Sequence, residues 1–267
     1  MSIIFTDLDG TLLNDDSVIS DYTRKILTGY TSAGNNIAFS SGRSLPSVLK
    51  VLSDLNLNLP GSYIIATNGT LIYDCDKLET VFESRLTYEE VRKVWQLAKE
   101  NGVYIQTYTD TSLVIGKRTK ETDFYMIRCP HPLLIASDPT NVMDKPPCKL
   151  LAIDLEDHEK LVRFSKLVDE GFSSLTTLFS NSRYLEVFPA NAGKGEALRL
   201  LCDYLGIDIK DSYAFGDEEN DISMLRAAGT GVGMCNGNPK IFDYCDIITE
   251  FDNNNDGLAR YIEKSVK

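Results

Sequence analysis

Ile3-Ile4-Phe5-Thr6-Asp7-Leu8-Asp9-Gly10-Thr11 is the stretch from which the rest of the chain is read. The apolar run 3–5 predicts a short buried strand, and Gly10 marks the turn that follows it. Asp7 and Asp9 are two apart, so both carboxylates would point the same way if the strand continued. Ligands of open parallel sheets bind beyond the carboxyl ends of the strands, which is where this pair falls. Taken alone, the pair also fits a capped or solvated turn, a receiver-type phospho-acceptor or part of a calcium loop.

Working outward, residues 22–31 predict a helix, 36–39 a strand, 44–55 a helix and 63–66 a third strand. Alternation at this spacing predicts right-handed crossovers in a parallel sheet covered by helices on both faces. The same texture returns late in the chain. A helix over 194–205, with Gly206 just past its end, leads to a strand at 213–215, a helix at 220–228 and a strand at 231–234. A last strand at 247–248 and a helix at 257–265 follow.

Between these halves the texture changes. A helix over 88–101, alternating strands at 103–108 and 112–115, a proline-rich connection, and a strand, helix and strand at 149–154, 158–170 and 184–188 predict a separate α+β domain. The expected architecture is therefore α/β: a Rossmann-like parallel-sheet core from 1–82 and 188–267, with an inserted α+β domain at 83–187. Residues 189–195, rich in Pro, Gly and Asn, form the expected hinge of return.

Bulk composition narrows the function. The 267 residues carry a formal net charge of −12, which argues against nucleic acid or an anionic membrane as the main partner. No apolar run approaches the roughly 18 residues that span a bilayer. No basic leader precedes the first strand, so a cytoplasmic protein is expected. The six cysteines are scattered without a C-x-x-C pair and read as reduced thiols filling core space. Only His131 and His158 are available, so histidine triads and multi-histidine metal sites are poor readings. Carboxylates dominate the reactive inventory.

Three further constellations sit at predicted strand ends. Ser40-Ser41-Gly42-Arg43 precedes a helix, where a hydroxyl and backbone N–H groups suit an anion or simply cap the helix. Gly193-Lys194-Gly195 opens a helix with a lysine, an unfavourable placement that a bound phosphate or a carboxylate cluster would offset. Gly216-Asp217-Glu218-Glu219-Asn220-Asp221 enters another helix. Asp217 and Asp221, four apart, can share a face there, and clustered acids suit a hard cation such as Mg²⁺.

Together with Asp7-Leu8-Asp9-Gly10-Thr11, these segments resemble the four motifs of the haloacid dehalogenase superfamily, most closely its Cof-type phosphatases. Asn68-Gly69, Met224-Leu225, Gly231-Val232-Gly233-Met234 and Asp256-Gly257 resemble that family too. One departure is Cys235-Asn236-Gly237-Asn238, where the family often has Asn-Ala. The resemblance implies a phosphatase acting on a small phosphorylated metabolite, sugar phosphates first, with nucleotide, flavin or pyridoxal phosphates behind. It implies Asp7 as nucleophile and Asp9 as general acid and base. Mg²⁺ would be held by Asp7, the Asp9 carbonyl and Asp217, with Asp221 either supporting it through water or orienting Lys194. Ser41, Gly42, Lys194 and Asn220 would take the phosphate, and residues 83–187 would form a cap that closes over the site and reads the leaving group. Tyr108, Arg128, His131, Arg183 and Tyr184 are the cap candidates, while Trp95 reads as core. A phosphomutase or a non-catalytic phospho-ligand sensor are the alternatives.

Overall fold

The computed structural model describes residues 1–109 and 111–266, with the backbone but not the side chain of Arg128. The chain divides into two compact units, Met1–Glu83 with Ala192–Lys267, and Ser84–Asn191. In chain order the first unit begins with β1 (Ile3–Thr6), α1 (Asp21–Ser32), β2 (Asn36–Ser40), α2 (Leu45–Asp54), β3 (Ser62–Ala66), β4 (Leu71–Asp74) and β5 (Glu79–Glu83). The second unit holds α3 (Tyr88–Glu100), β6 (Tyr104–Tyr108), β7 (Leu113–Ile115), α4 (Lys120–Arg128), β8 (Leu133–Ile135), β9 (Leu150–Ile153), α5 (His158–Gly171), β10 (Leu175–Asn181) and β11 (Tyr184–Pro189). The first unit resumes with α6 (Lys194–Leu205), β12 (Ser212–Gly216), α7 (Ile222–Ala227), β13 (Thr230–Gly233), β14 (Ile247–Ile248) and α8 (Gly257–Ser265).

The first unit is built on one sheet in the order β14-β13-β12-β1-β2-β3-β4-β5. From β14 to β3 every neighbour is parallel, whereas β3–β4 and β4–β5 are antiparallel. Strand β1 is buried throughout because both of its faces are covered. Ile4, Phe39 and Ile64 pack with Leu27, Val48, Leu52 and Leu258 from α1, α2 and α8. Ile3, Phe5, Ala38 and Ile65 pack on the other face with Ala197, Leu198, Leu201 and Met224 from α6 and α7. A strand covered on both faces needs an uninterrupted apolar run, and Ile3-Ile4-Phe5 supplies it. The hairpin β4–β5 lies outside the expected elements; it extends the parallel sheet with an antiparallel edge.

The second unit carries a six-stranded sheet in the order β10-β11-β9-β6-β7-β8. One face is apolar: Ile105, Leu150, Ala152, Leu185 and Val187 pack on Val91, Val94 and Trp95 of α3 and on Leu161, Phe164 and Val168 of α5. Trp95 is core, as expected. Helix α3 starts on a full capping box, Thr87 and Glu90 each satisfying the other's backbone N–H. Helix α4 and strands β8 and β10 go beyond the expected elements, and β8 lies inside the segment expected to be only a proline-rich connection. The unit's edges fall at Ser84 and Asn191 rather than 83 and 187, because β11 runs on to Pro189. Among the described residues no helix is long and apolar enough to cross a membrane. All six cysteines are free thiols; Cys202 is buried in the core, Cys75 and Cys245 pack half-buried against it, and Cys235 is exposed, so filling core space does not describe Cys235. Cys129 and Cys148 are half-buried.

Candidate active site

The parallel register brings the chemistry together. Thr6 pairs with Phe39 of β2 and with Phe215 of β12, so the residues just beyond these strands emerge at one sheet edge. Asp7 follows β1, Ser41 follows β2 and Asp217 follows β12. Lys194 joins them from the first turn of α6, a helix whose N-cap, Gly193, offers no side chain.

Lys194 is fully buried, and Nζ donates to Asp7 Oδ1 at 2.5 Å and to Asp221 Oδ1 at 2.6 Å. A buried ammonium is tolerated only when paired. Burial works against its charge, but Asp221 and Asp7 more than offset that, so its pKa is raised. The carboxylates therefore supply the compensation that a lysine in a helix's first turn demands.

The anionic side is crowded. Oxygens of Asp7, Asp217 and Asp221 lie within 4.8 Å of one another. Burial pushes the Asp7 carboxyl well up, Lys194 pulls it back, and Asp221 and Asp217 push it up again. Burial, reinforced by Asp221, lifts Asp217 to about 7. Three carboxylates facing one ammonium leave two uncompensated negative charges if all ionise. All the donors are hard oxygens, so this set fits a small divalent cation. Asp217 is aimed by Thr11, whose hydroxyl donates to Asp217 Oδ1 at 2.7 Å, and by the close approach of Gly10, where a Cβ would lie 2.3 Å from Asp217 Oδ2.

Asp221 does not share a helix face with Asp217. It ends a 3-10 turn (Glu219–Asp221), and α7 begins only at Ile222. Asp217 N and Glu218 N donate to Asp221 Oδ2 at 3.0 and 3.1 Å, while Oδ1 accepts from Lys194. Both oxygens are thus engaged within the chain. The two acids meet because the loop folds back on itself.

Asp9 lies apart from this cluster. Its exposed carboxylate accepts from Arg43 Nε and Nη2 at 2.9 and 2.5 Å. Ser41 is buried, and its Oγ accepts from Arg43 N at 3.2 Å. Gly42 packs against Asn68, whose side-chain nitrogen would lie 3.2 Å from a Cβ there. Asn220 donates from Nδ2 to Asn68 Oδ1 at 3.2 Å. The motifs held Thr11 and Arg43 without showing what either touches. Asn236, in the loop that departs from the family pattern, donates from Nδ2 to Gly10 O at 2.8 Å and so ties that loop to the Asp9 turn.

In the second unit, the face of β6 opposite the apolar core carries hydroxyls and an amide. Tyr104 Oη donates to Gln106, Gln106 Nε2 to Tyr108 Oη, and Tyr108 Oη to Tyr125 Oη, at 2.8, 3.1 and 3.0 Å. Lys149 and Glu186 form a buried ion pair at 2.9 Å. Tyr108 packs near His131, and Tyr184 near Tyr125, with ring centroids 6.3 and 6.2 Å apart. Arg183 is exposed and lies over the Phe124 ring. The Arg128 side chain lies outside the described residues.

Acids, a lysine and a hydroxyl thus gather beyond the strand ends of a doubly wound sheet, the place where open α/β sheets bind their ligands. The family model for haloacid dehalogenase-like hydrolases matches residues 4–262, and the chain belongs to that family. It is 27% identical to the 5-amino-6-(5-phospho-D-ribitylamino)uracil phosphatase of Bacillus subtilis over 302 residues, covering 99% of this chain and 98% of that one. The crystal structure of a haloacid dehalogenase-like hydrolase from Bacteroides thetaiotaomicron is 27% identical and superposes with a TM-score of 0.85, covering 98% of each chain. A sugar phosphatase of subclass IIB shares the fold at 21% identity, with a TM-score of 0.81 over 99% of this chain and 98% of that one.

Proposed function

We propose that the protein is a Mg²⁺-dependent phosphatase that hydrolyses small phosphomonoesters through a phosphoryl group carried on Asp7. The observation that carries this reading is the buried constellation of Asp7, Asp217 and Asp221 around Lys194. A carboxylate so placed is a nucleophile for phosphorus only if it stays ionised, and Lys194 favours the ionised form. The Asp7 and Asp217 carboxylates and the Asp9 carbonyl would hold the ion. When bound, Mg²⁺ supplies the positive charge that neutralises the cluster and the transferring phosphoryl group.

In the first step an Asp7 oxygen forms a bond to phosphorus while the bond to the leaving oxygen breaks. That oxygen keeps the electron pair and takes a proton from Asp9. Such general acid help contributes roughly 10²–10⁴-fold. In the second step water attacks the phosphoryl group and gives its proton to Asp9, and the Asp7 carboxylate is released. Lys194, oriented by Asp221, faces the phosphate together with Ser41, the Gly42 N–H and Asn220. Asp221, with both oxygens already used, serves Lys194 more than the metal.

The substrate class we propose is a phosphorylated sugar or polyol. Two similar proteins are named for substrates of that kind. The second unit is read as the part that selects the substrate, as the resemblance to capped phosphatases implies. Phosphate release from a panel of sugar, nucleotide and cofactor phosphates, with and without Mg²⁺, tests this. Asp7→Asn should abolish release while the circular dichroism spectrum stays unchanged; full activity in that variant overturns the mechanism. An isomeric phospho-sugar in place of free phosphate would make the protein a mutase.

A further inference from the structure

Among the described residues, Asp9 is the one carboxylate that Arg43 hydrogen-bonds. Its Nε and Nη2 reach the two Asp9 oxygens separately, at 2.9 and 2.5 Å. This fork fixes the rotation of the carboxylate plane as well as its position, which a point charge such as lysine would not do. The Arg43 backbone is itself anchored. Its N–H donates to Ser41 Oγ at 3.2 Å, and its carbonyl accepts from Thr67 N at 2.8 Å. The two side chains are 34% and 53% exposed, and ion pairs that open to solvent contribute little to stability. The arrangement orients more than it stabilises.

We propose that Arg43 is the positioning residue for Asp9, aiming its carboxylate for the proton transfers that accompany phosphoryl transfer on Asp7. This rests on the reading of Asp7 and Asp9 given above. A base whose orientation is set by a third group is a recurrent arrangement in nucleophilic catalysis. A carboxylate has about four lone-pair positions, so two taken by the guanidinium leave others for a water or a leaving oxygen. In the hydrolytic step the water oxygen bonds to phosphorus, the bond from phosphorus to Asp7 breaks with its pair returning to Asp7, and the water proton goes to Asp9. Without Arg43 the Asp9 side chain samples other rotamers, and both proton transfers lose their alignment.

Rapid mixing of Arg43→Gln, Arg43→Lys and Asp9→Asn with p-nitrophenyl phosphate in Mg²⁺ tests the proposal. Nitrophenolate leaves without a proton, so phosphorylation of Asp7 survives while hydrolysis is slowed. The Arg43 variants should show a burst of about one nitrophenolate per enzyme. Turnover after it should be about 10- to 100-fold slower with kcat/KM little changed, so that KM falls together with kcat. Asp9→Asn should show the same burst with turnover slowed further, by roughly 10²–10⁴-fold, and Arg43→Gln combined with Asp9→Asn should be no slower than Asp9→Asn alone. Additive losses in the double variant, burst and turnover lost together, or unchanged turnover would overturn the assignment. Absence of phosphate release by the unaltered protein would overturn the phosphatase reading instead.

Discussion

Burial and Asp221 raise the Asp217 carboxyl from its ordinary 3.8 to about 7, and this has a consequence for stability. In the unfolded chain the group ionises near 4; in the metal-free fold it holds its proton until near 7. Between those values the folded state binds more protons, so this group's contribution to stability falls as pH rises from about 4 to 7. A divalent cation binds the ionised carboxylates and competes with those protons. Mg²⁺ should therefore raise the thermal midpoint more at pH 8 than at pH 5, as read by melting curves in Mg²⁺ and in EDTA. An equal shift at both values would speak against Asp217 as a ligand. Asp7, raised for the same primary reason, adds to the effect with the same sign.

At the scale of elements, the short turn Thr67–Gly69 ties the site's segments to one another. Thr67, Asn68 and Gly69 all have positive φ, at 50°, 55° and 97°, a costly conformation for a β-branched threonine. The strain is held by Thr67 N on Arg43 O and by Asn68 N on Ser41 O, at 2.8 and 3.0 Å. Gly69 lets the turn touch the start of α6, since a Cβ there would lie 2.2 Å from the Gly193 carbonyl. Gly69→Ala must therefore push back the turn that carries Lys194. A loss of about 1–3 kcal/mol in denaturant unfolding is expected, with a larger loss of kcat than of substrate affinity. Full activity in this variant would show that the start of α6 tolerates displacement.

For the whole molecule, each unit has its own apolar core and its own sheet. The ends of the second unit lie side by side, with Ser84 Oγ donating to Asn191 Oδ1 at 3.0 Å. Replacing residues 84–191 by a short flexible linker should therefore leave a first unit that folds cooperatively and still shows the Mg²⁺-dependent thermal shift. Its selectivity among phosphate esters should be lost. A linker variant that does not fold would mean that the first unit depends on the second for stability.

The doubly wound core was legible because its signals are local. Strands covered on both faces require apolar runs such as Ile3-Ile4-Phe5, and helices between them show in their spacing and in stops such as Gly206. The hairpin β4–β5, helix α4 and strands β8 and β10 were not, because edge and half-exposed elements such as Glu79–Glu83 mix polar and apolar residues under weaker constraint. The acids and Lys194 could be picked out as candidates, since a charged residue just beyond a buried strand needs a reason. Their partners could not. That Asp221 receives Lys194 and two backbone N–H groups, that Thr11 aims Asp217 and that Arg43 grips Asp9 follow from contacts as distant in sequence as Asp7 and Lys194. The sequence alone determined which residues stand at the strand ends, because period and burial are local properties. Only the tertiary structure decided which of them share a charge, because packing alone sets distances across the sheet.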